Sequence, residues 1–243
     1  MKQLNIIRRT KKILNLILKY SSYNLKIIFA NKFIYFLLAA LIFFLAVTAI
    51  IFFSSDSYPD SGSVFNLLLF PAILLIFYPA VFGLQNDIDT GMIEVLFAIP
   101  NYRYSVWLVR LVLMYVITAG LVAVLAVLSA VIIVPVPVIS MVCQIMFPVF
   151  FLGSLAFLLS SLIKNGNGTA VVMVIIGLAL WVSAGWLHHS KWFLFLNPFS
   201  PPTDMSESVW SDIVLKNRVY MVVGAVISTL AGLFNLQKRE KFV

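Results

Sequence analysis

The chain has 243 residues, 62% of them hydrophobic and only 11% charged, with a formal net charge of +8 and a single cysteine. An ordinary soluble domain has roughly 25% charged residues, so this composition excludes one and fits a membrane protein. An intramolecular disulfide is excluded by the lone cysteine, and the cations flank apolar runs, as expected for a bilayer surface and not for nucleic acid.

Residues 1–31 carry Arg8, Arg9, Lys11, Lys12 and Lys19, with Ile6, Ile13, Ile17, Tyr20 and Ile27 recurring at helical spacing. That pattern predicts a basic amphipathic helix lying on the membrane surface. The alternative is a basic topogenic tail. Eight Lys and Arg are spread over the first 32 residues, unlike a cleavable signal peptide, so the first span is expected to direct insertion.

Residues 32–243 are read as one transmembrane domain of six helices. A run of about 20 apolar residues crosses a hydrocarbon core of roughly 30 Å. Six stretches qualify: Phe33 to Ser54, Val64 to Leu84, Val106 to Val134, Val138 to Ile163, Thr169 to Leu187 and Val219 to Leu236. Pro135-Val136-Pro137 separates the third from the fourth as a tight turn. With both termini inside, 14 of the 17 Lys and Arg residues are cytoplasmic, leaving Lys191, Lys216 and Arg218 outside. The positive-inside bias therefore predicts a multi-pass protein of the inner (cytoplasmic) membrane with cytoplasmic N- and C-termini.

The spans hold little that could do chemistry. None carries Asp, Glu, Lys or His near its centre, which argues against proton-coupled transport. Arg110, one turn into the third span, is expected to snorkel to the surface beside Trp107. Pro71, Pro79 and Pro148 are read as kinks within packed helices, with sodium coupling through broken helices left open. Cys143 is expected to serve packing. His188 and His189 are adjacent and lack further ligands, which makes a metal or haem site unfavourable. The outer segment 188–217 interleaves Trp192, Phe193, Phe195, Phe199 and Trp210 with prolines and carboxylates, a composition suited to the headgroup level. Gly224, Ser228 and Gly232 form a small-residue stripe for close helix packing, inside the subunit by default. No G-x-x-x-x-G-K-[ST] is present, so no metal or nucleotide cofactor is expected on this chain.

The cytoplasmic stretch between the second and third spans is unusually acidic. Asp89 and Thr90 suit helix N-caps, Gly91 permits a tight turn and Pro100 disfavours helix at Ile99, which predicts a short capped helix of about two turns. On the residues alone, a connecting loop and a docking element are equally good readings. The sequence "DIDTGMIEVLFAIPNYRYSVWLVR" resembles the first cytoplasmic loop of ATP-binding-cassette (ABC) exporter permeases of type 2. Asp87 and Asp89 match the acidic pair, Gly91 the glycine, Glu94 and Leu96 the Glu-x-Leu, Pro100 the proline and Arg103 the basic position. Thr90 before Gly91, Met92 after it and Phe97 in place of a second leucine depart from the pattern.

The resemblance implies a permease that pairs with a second permease copy, most simply as a homodimer. It docks an ABC ATPase subunit through this coupling helix. ATP and Mg would be bound by the partner, and the chain itself would be no enzyme. The expected function is outward movement of an amphipathic or lipid-linked substrate. The alternatives are a self-sufficient secondary transporter or channel, a haem-export permease for cytochrome assembly, and a scaffold subunit that only binds partner helices.

Overall fold

The computed structural model describes residues 33–53, 59–89, 103–187 and 189–236, apart from the side chains of Phe52 and residues 103–105. The predicted surface helix, with Arg8, Arg9, Lys11, Lys12 and Lys19, lies outside the described residues, as does the stretch from Thr90 to Tyr102.

The described residues are helical, without strands. They form α1 (Phe33–Phe53), α2 (Ser61–Asp89), a π-helical segment (Arg103–Leu108) that leads into α3 (Val109–Ile132), α4 (Val138–Ile163), α5 (Gly166–Val182), a single turn α6 (Ala184–Leu187) and α7 (Glu207–Asn235). Five helices are long and apolar enough to cross a membrane, and α5 is a shorter apolar helix of 17 residues. The chain is thus a multi-pass membrane protein in architecture. Successive helices run antiparallel between two ends of the bundle, one carrying Asp87, Arg110 and Lys164, the other Asp60 and Asn197.

Several boundaries follow from local chemistry. Asp60 starts α2 as its N-cap, its Oδ1 accepting from the Ser63 backbone N–H at 2.8 Å and the Ser63 hydroxyl at 2.7 Å. That contact holds its carboxyl below the usual range. Between α3 and α4, the Pro135-Val136-Pro137 turn takes the place expected of it, since neither ring can continue the ladder. Lys164, with φ 59°, closes α4 in the left-handed region, and Asn165 caps α5 by accepting from the Gly168 N–H at 3.0 Å. Pro71 and Pro79 lie inside an unbroken α2, and Pro148 inside α4.

Several boundaries differ from the sequence reading, among them those of α2, which runs from Ser61 to Asp89 rather than over the expected Val64 to Leu84. The fifth apolar stretch breaks at Ser183, whose N–H and hydroxyl turn back onto α5 carbonyls, so the helix ends short of the expected Leu187. The last helix begins at Glu207, not Val219, and consumes the final third of the outer segment. At about 1.5 Å per residue, the 29 residues of α2 and of α7 each span roughly 44 Å, more than the hydrocarbon core requires.

Helices α2 and α4 form the centre: α4 packs on α7, α2 and α3, while α2 also packs on α1, α3 and α5. The small-residue stripe of α7 is used inside the subunit. A methyl group on Gly224 would meet the Phe151 ring at 2.7 Å and one on Gly232 the Phe157 ring at 2.8 Å, so α4 and α7 approach as closely as backbones allow. Hydroxyls link neighbouring helices inside the bundle: Tyr115 on α3 hydrogen-bonds Ser154 on α4 at 3.0 Å, and Thr229 on α7 reaches the same Ser154 at 3.1 Å. Cys143 is exposed on α4 and so does not serve the packing role expected of it.

Residues 189–206 fold back on the helix ends as a pinned cap. Asn197 Nδ2 donates to the Gly62 carbonyl at 2.9 Å, Trp210 Nε1 to Pro198 O at 3.3 Å, and Asn217 Nδ2 to Lys191 O and Phe193 O, both at 2.9 Å. Arg218 is buried and donates to Gln144 Oε1 at 2.8 Å, Asn217 Oδ1 at 2.8 Å and Leu196 O at 3.0 Å, with the Phe147 ring beneath it. Trp181, Trp186 and Trp192 are all exposed around this end.

Candidate functional site

The residues singled out by sequence surround the segment 90–102, and the structure defines its two borders. On one side, α2 runs on past the apolar stretch through Gln85, Asn86, Asp87 and Asp89, so both members of the acidic pair belong to its last turns. Asp89 is exposed at the helix end, whereas Asp87 is 2% exposed. On the other side, the π-helical segment Arg103–Leu108 passes directly into α3. Its wider turn is a geometry that recurs frequently at functional sites.

A buried ion pair joins the two borders. Arg110 Nη1, two residues beyond the π-helical segment, donates to Asp87 Oδ2. Arg110 is only 9% exposed and its guanidinium lies 5.6 Å from the centre of the Trp107 ring. The expected snorkelling of Arg110 to the surface is therefore corrected: with a carboxylate and an indole at the same depth, it is held within the helix bundle.

Trp107 is itself buried, against Phe157 of α4 at 6.2 Å between ring centres. Its Nε1 is buried without a hydrogen-bond partner among the described residues. Beside it lies a cavity of about 20 Å³ lined by Pro79, Gly83, Leu84, Trp107, Arg110 and Phe157, the size of one water molecule.

Further clamps gather at the same end. The Gly166 N–H, first residue of α5, donates to Gln85 Oε1. Ser160 Oγ of α4 donates to Val81 O at 3.2 Å, and Asn235 Nδ2 of α7 to Ser161 O at 2.6 Å. The helices meeting at this end, α2, α3, α4, α5 and α7, are thus cross-linked by side-chain polar contacts within one or two turns.

No family model, curated protein or solved structure matches the chain.

Of the sequence-selected residues, the structure places Asp87 in the ion pair, Asp89 on the exposed last turn of α2 and the backbone of Arg103 at the start of the π-helical segment. Gly91, Glu94, Leu96 and Pro100 lie outside the described residues. The sequence reading missed Arg110 as the partner of Asp87, and Gln85 as the partner of Gly166. The signal for the first was present: an acid ending one span and a base starting the next occupy the same depth on neighbouring helices. His189 is exposed, edge-on to Trp210 at 6.4 Å between ring centres. Among the described residues, no group of three or more His, Cys, Asp or Glu is placed to hold a metal ion.

Proposed function

We propose that the chain is the membrane-spanning subunit of an ATP-driven exporter. It works as a dimer with a second permease copy and a separate ATPase, and moves an amphipathic or lipid-linked substrate outward. In this reading α5 serves as the fifth of six spans, the Asp87 end faces the cytoplasm and the Asn197 end faces outside, an orientation supported by the Lys and Arg bias of the sequence.

The observation that carries this reading is the buried Asp87–Arg110 pair at the base of residues 90–102. A segment that transmits force must have its two ends tied to the helices it moves. Here a buried ion pair ties them, so that loss of one member deprives the other of its direct counter-charge. Glu94 and Asp89 then supply the acidic contacts to the ATPase, Gly91 and Pro100 bound the lever, and Arg103 fixes it, while ATP and Mg stay with the partner.

The experiment is coexpression with the candidate ATPase. Glu94→Lys should abolish copurification of the ATPase and substrate export while the permease still folds. Asp87→Asn should retain ATPase binding yet lose export. Unchanged association and export in both variants would overturn the assignment, and gradient-driven flux in liposomes holding this chain alone would establish the secondary-transporter reading instead.

A further inference from the structure

A wide cavity lies at the opposite end of the molecule from the ion pair. It has a volume of about 760 Å³, within the range of roughly 300–1,000 Å³ typical of small-molecule sites. Its origin is the way α5 packs. The buried residues of α5 are Gly166, Thr169 and Met173, all in its first half. Beyond Met173 the helix parts from α2, and the wedge left between them is the cavity, closed above by residues 189–200.

The wall has a polar end and an apolar end. On α2 the spacing of Asn66, Phe70 and Ile73 puts one stripe towards the wedge, and on α5 and α6 the spacing of Gly177, Trp181 and Ala184 faces it. Asn66 is about one turn into α2, Ile73 roughly 10 Å deeper at about 1.5 Å per residue. Asn197 and Ser200 join Asn66 at the shallow end, and Asn197 Nδ2 approaches Asn66 Oδ1 at 3.4 Å. Among the described residues no Asp, Glu, Lys or Arg lines the cavity, and His189 is its one titratable lining side chain. At Gly177 an added methyl group would meet nothing within 4 Å, so the deep end is open space.

We infer that this cavity binds one lipid amphiphile of the outer leaflet, its hydrocarbon chain seated between Ile73 and Gly177 and an uncharged, hydroxyl-bearing headgroup held by Asn66, Asn197 and Ser200. The headgroup class follows from the lining: amides and a hydroxyl hydrogen-bond a neutral polyol, whereas a charged headgroup would be desolvated there with no Asp, Glu, Lys or Arg among the described lining residues to pair with it. Depth fixes the orientation of the tail. The assignment of this end to the outer leaflet rests on the exporter reading, but binding itself needs no ATPase.

The test uses the full chain in nanodiscs, without any ATPase, and a monoacylglycerol carrying a photoactivatable diazirine midway along its chain. Crosslinks mapped by mass spectrometry are expected within residues 66–73 and 177–184. Gly177→Leu fills the open space with a residue of better helix propensity, so it should fold and lose those crosslinks. Gly120→Leu, at another position where a side chain meets nothing within 4 Å, should keep them. Asn66→Leu should lose the preference for monoacylglycerol over a fatty-acid probe of equal length. Crosslinks unchanged in Gly177→Leu, or stronger labelling by the fatty acid in the wild type, would overturn the inference. Absence of ATPase-dependent export by the wild type, with intact labelling, would instead overturn the exporter reading and leave the lipid site standing.

Discussion

Arg110 shows how a single charge sets the energetics of its neighbourhood. A buried pair gives little net stability, but removing one partner costs about 3–5 kcal/mol because the other charge loses its direct counter-charge. Arg110→Met is therefore expected to destabilise strongly, and the double change Asp87→Leu with Arg110→Met to recover most of the loss. Thermal unfolding in detergent of the two single variants and the double variant reads this directly, and additive losses would contradict a direct pair. Asp60 makes the complementary case at an exposed site. Asp60→Ala should cost about 1 kcal/mol, as loss of a helix N-cap does. The carboxyl of Asp60 titrates below its ordinary value of 3.8 because Ser63 donates to it. Its contribution is hence complete above the ordinary value and fades as pH falls through the lowered one. The stability gap between wild type and Asp60→Ala should be constant near neutrality and close in acid below about pH 3.8, measured as the difference in Tm.

At the scale of elements, the helix cores were legible because apolar runs of span length have few other uses, and the turn before α4 was legible because of Pro135 and Pro137. Helix ends were harder. Residues 207–218 of α7 carry Glu207, Asp212, Lys216 and Arg218, so a search for apolar runs begins too late, yet the helix continues because Trp210, Asn217 and Arg218 are buried against the cap. The end of α5 depended on Ser183 bonding back to α5, which periodicity does not reveal. The candidate site was half legible: the acids were visible as anomalies in a basic cytoplasmic face, but the pairing of residues 23 apart needed the two helices side by side. Likewise nothing in the sequence marks Gly166 as a contact point. A Cβ there would come within 2.5 Å of both Gln85 Oε1 and the Phe82 ring, so Gly166→Leu should push α5 from α2. Overpacking of this kind costs about 1–3 kcal/mol, to be read as a lowered Tm beside Gly177→Leu, which meets open space and should not be destabilised.

For the whole molecule, orientation is the property on which the exporter reading stands. With Cys143 replaced by serine, a single reporter cysteine at Ser200 should react with a membrane-impermeant maleimide added to intact cells, and one at Lys164 only after permeabilisation. The reverse pattern would place the acidic segment outside, where no ATPase operates. One further property belongs to the assembled bundle. The outer half of α5 touches little protein, and the exposed rings of Trp181, Trp186 and Trp192 cluster where that half ends. Indoles prefer the membrane interface, so this stretch is tethered more to the bilayer than to its own subunit. Stretching the membrane, or crowding its headgroups, would then act on this half of α5, and make the mechanical state of the lipid part of how this end of the molecule is shaped.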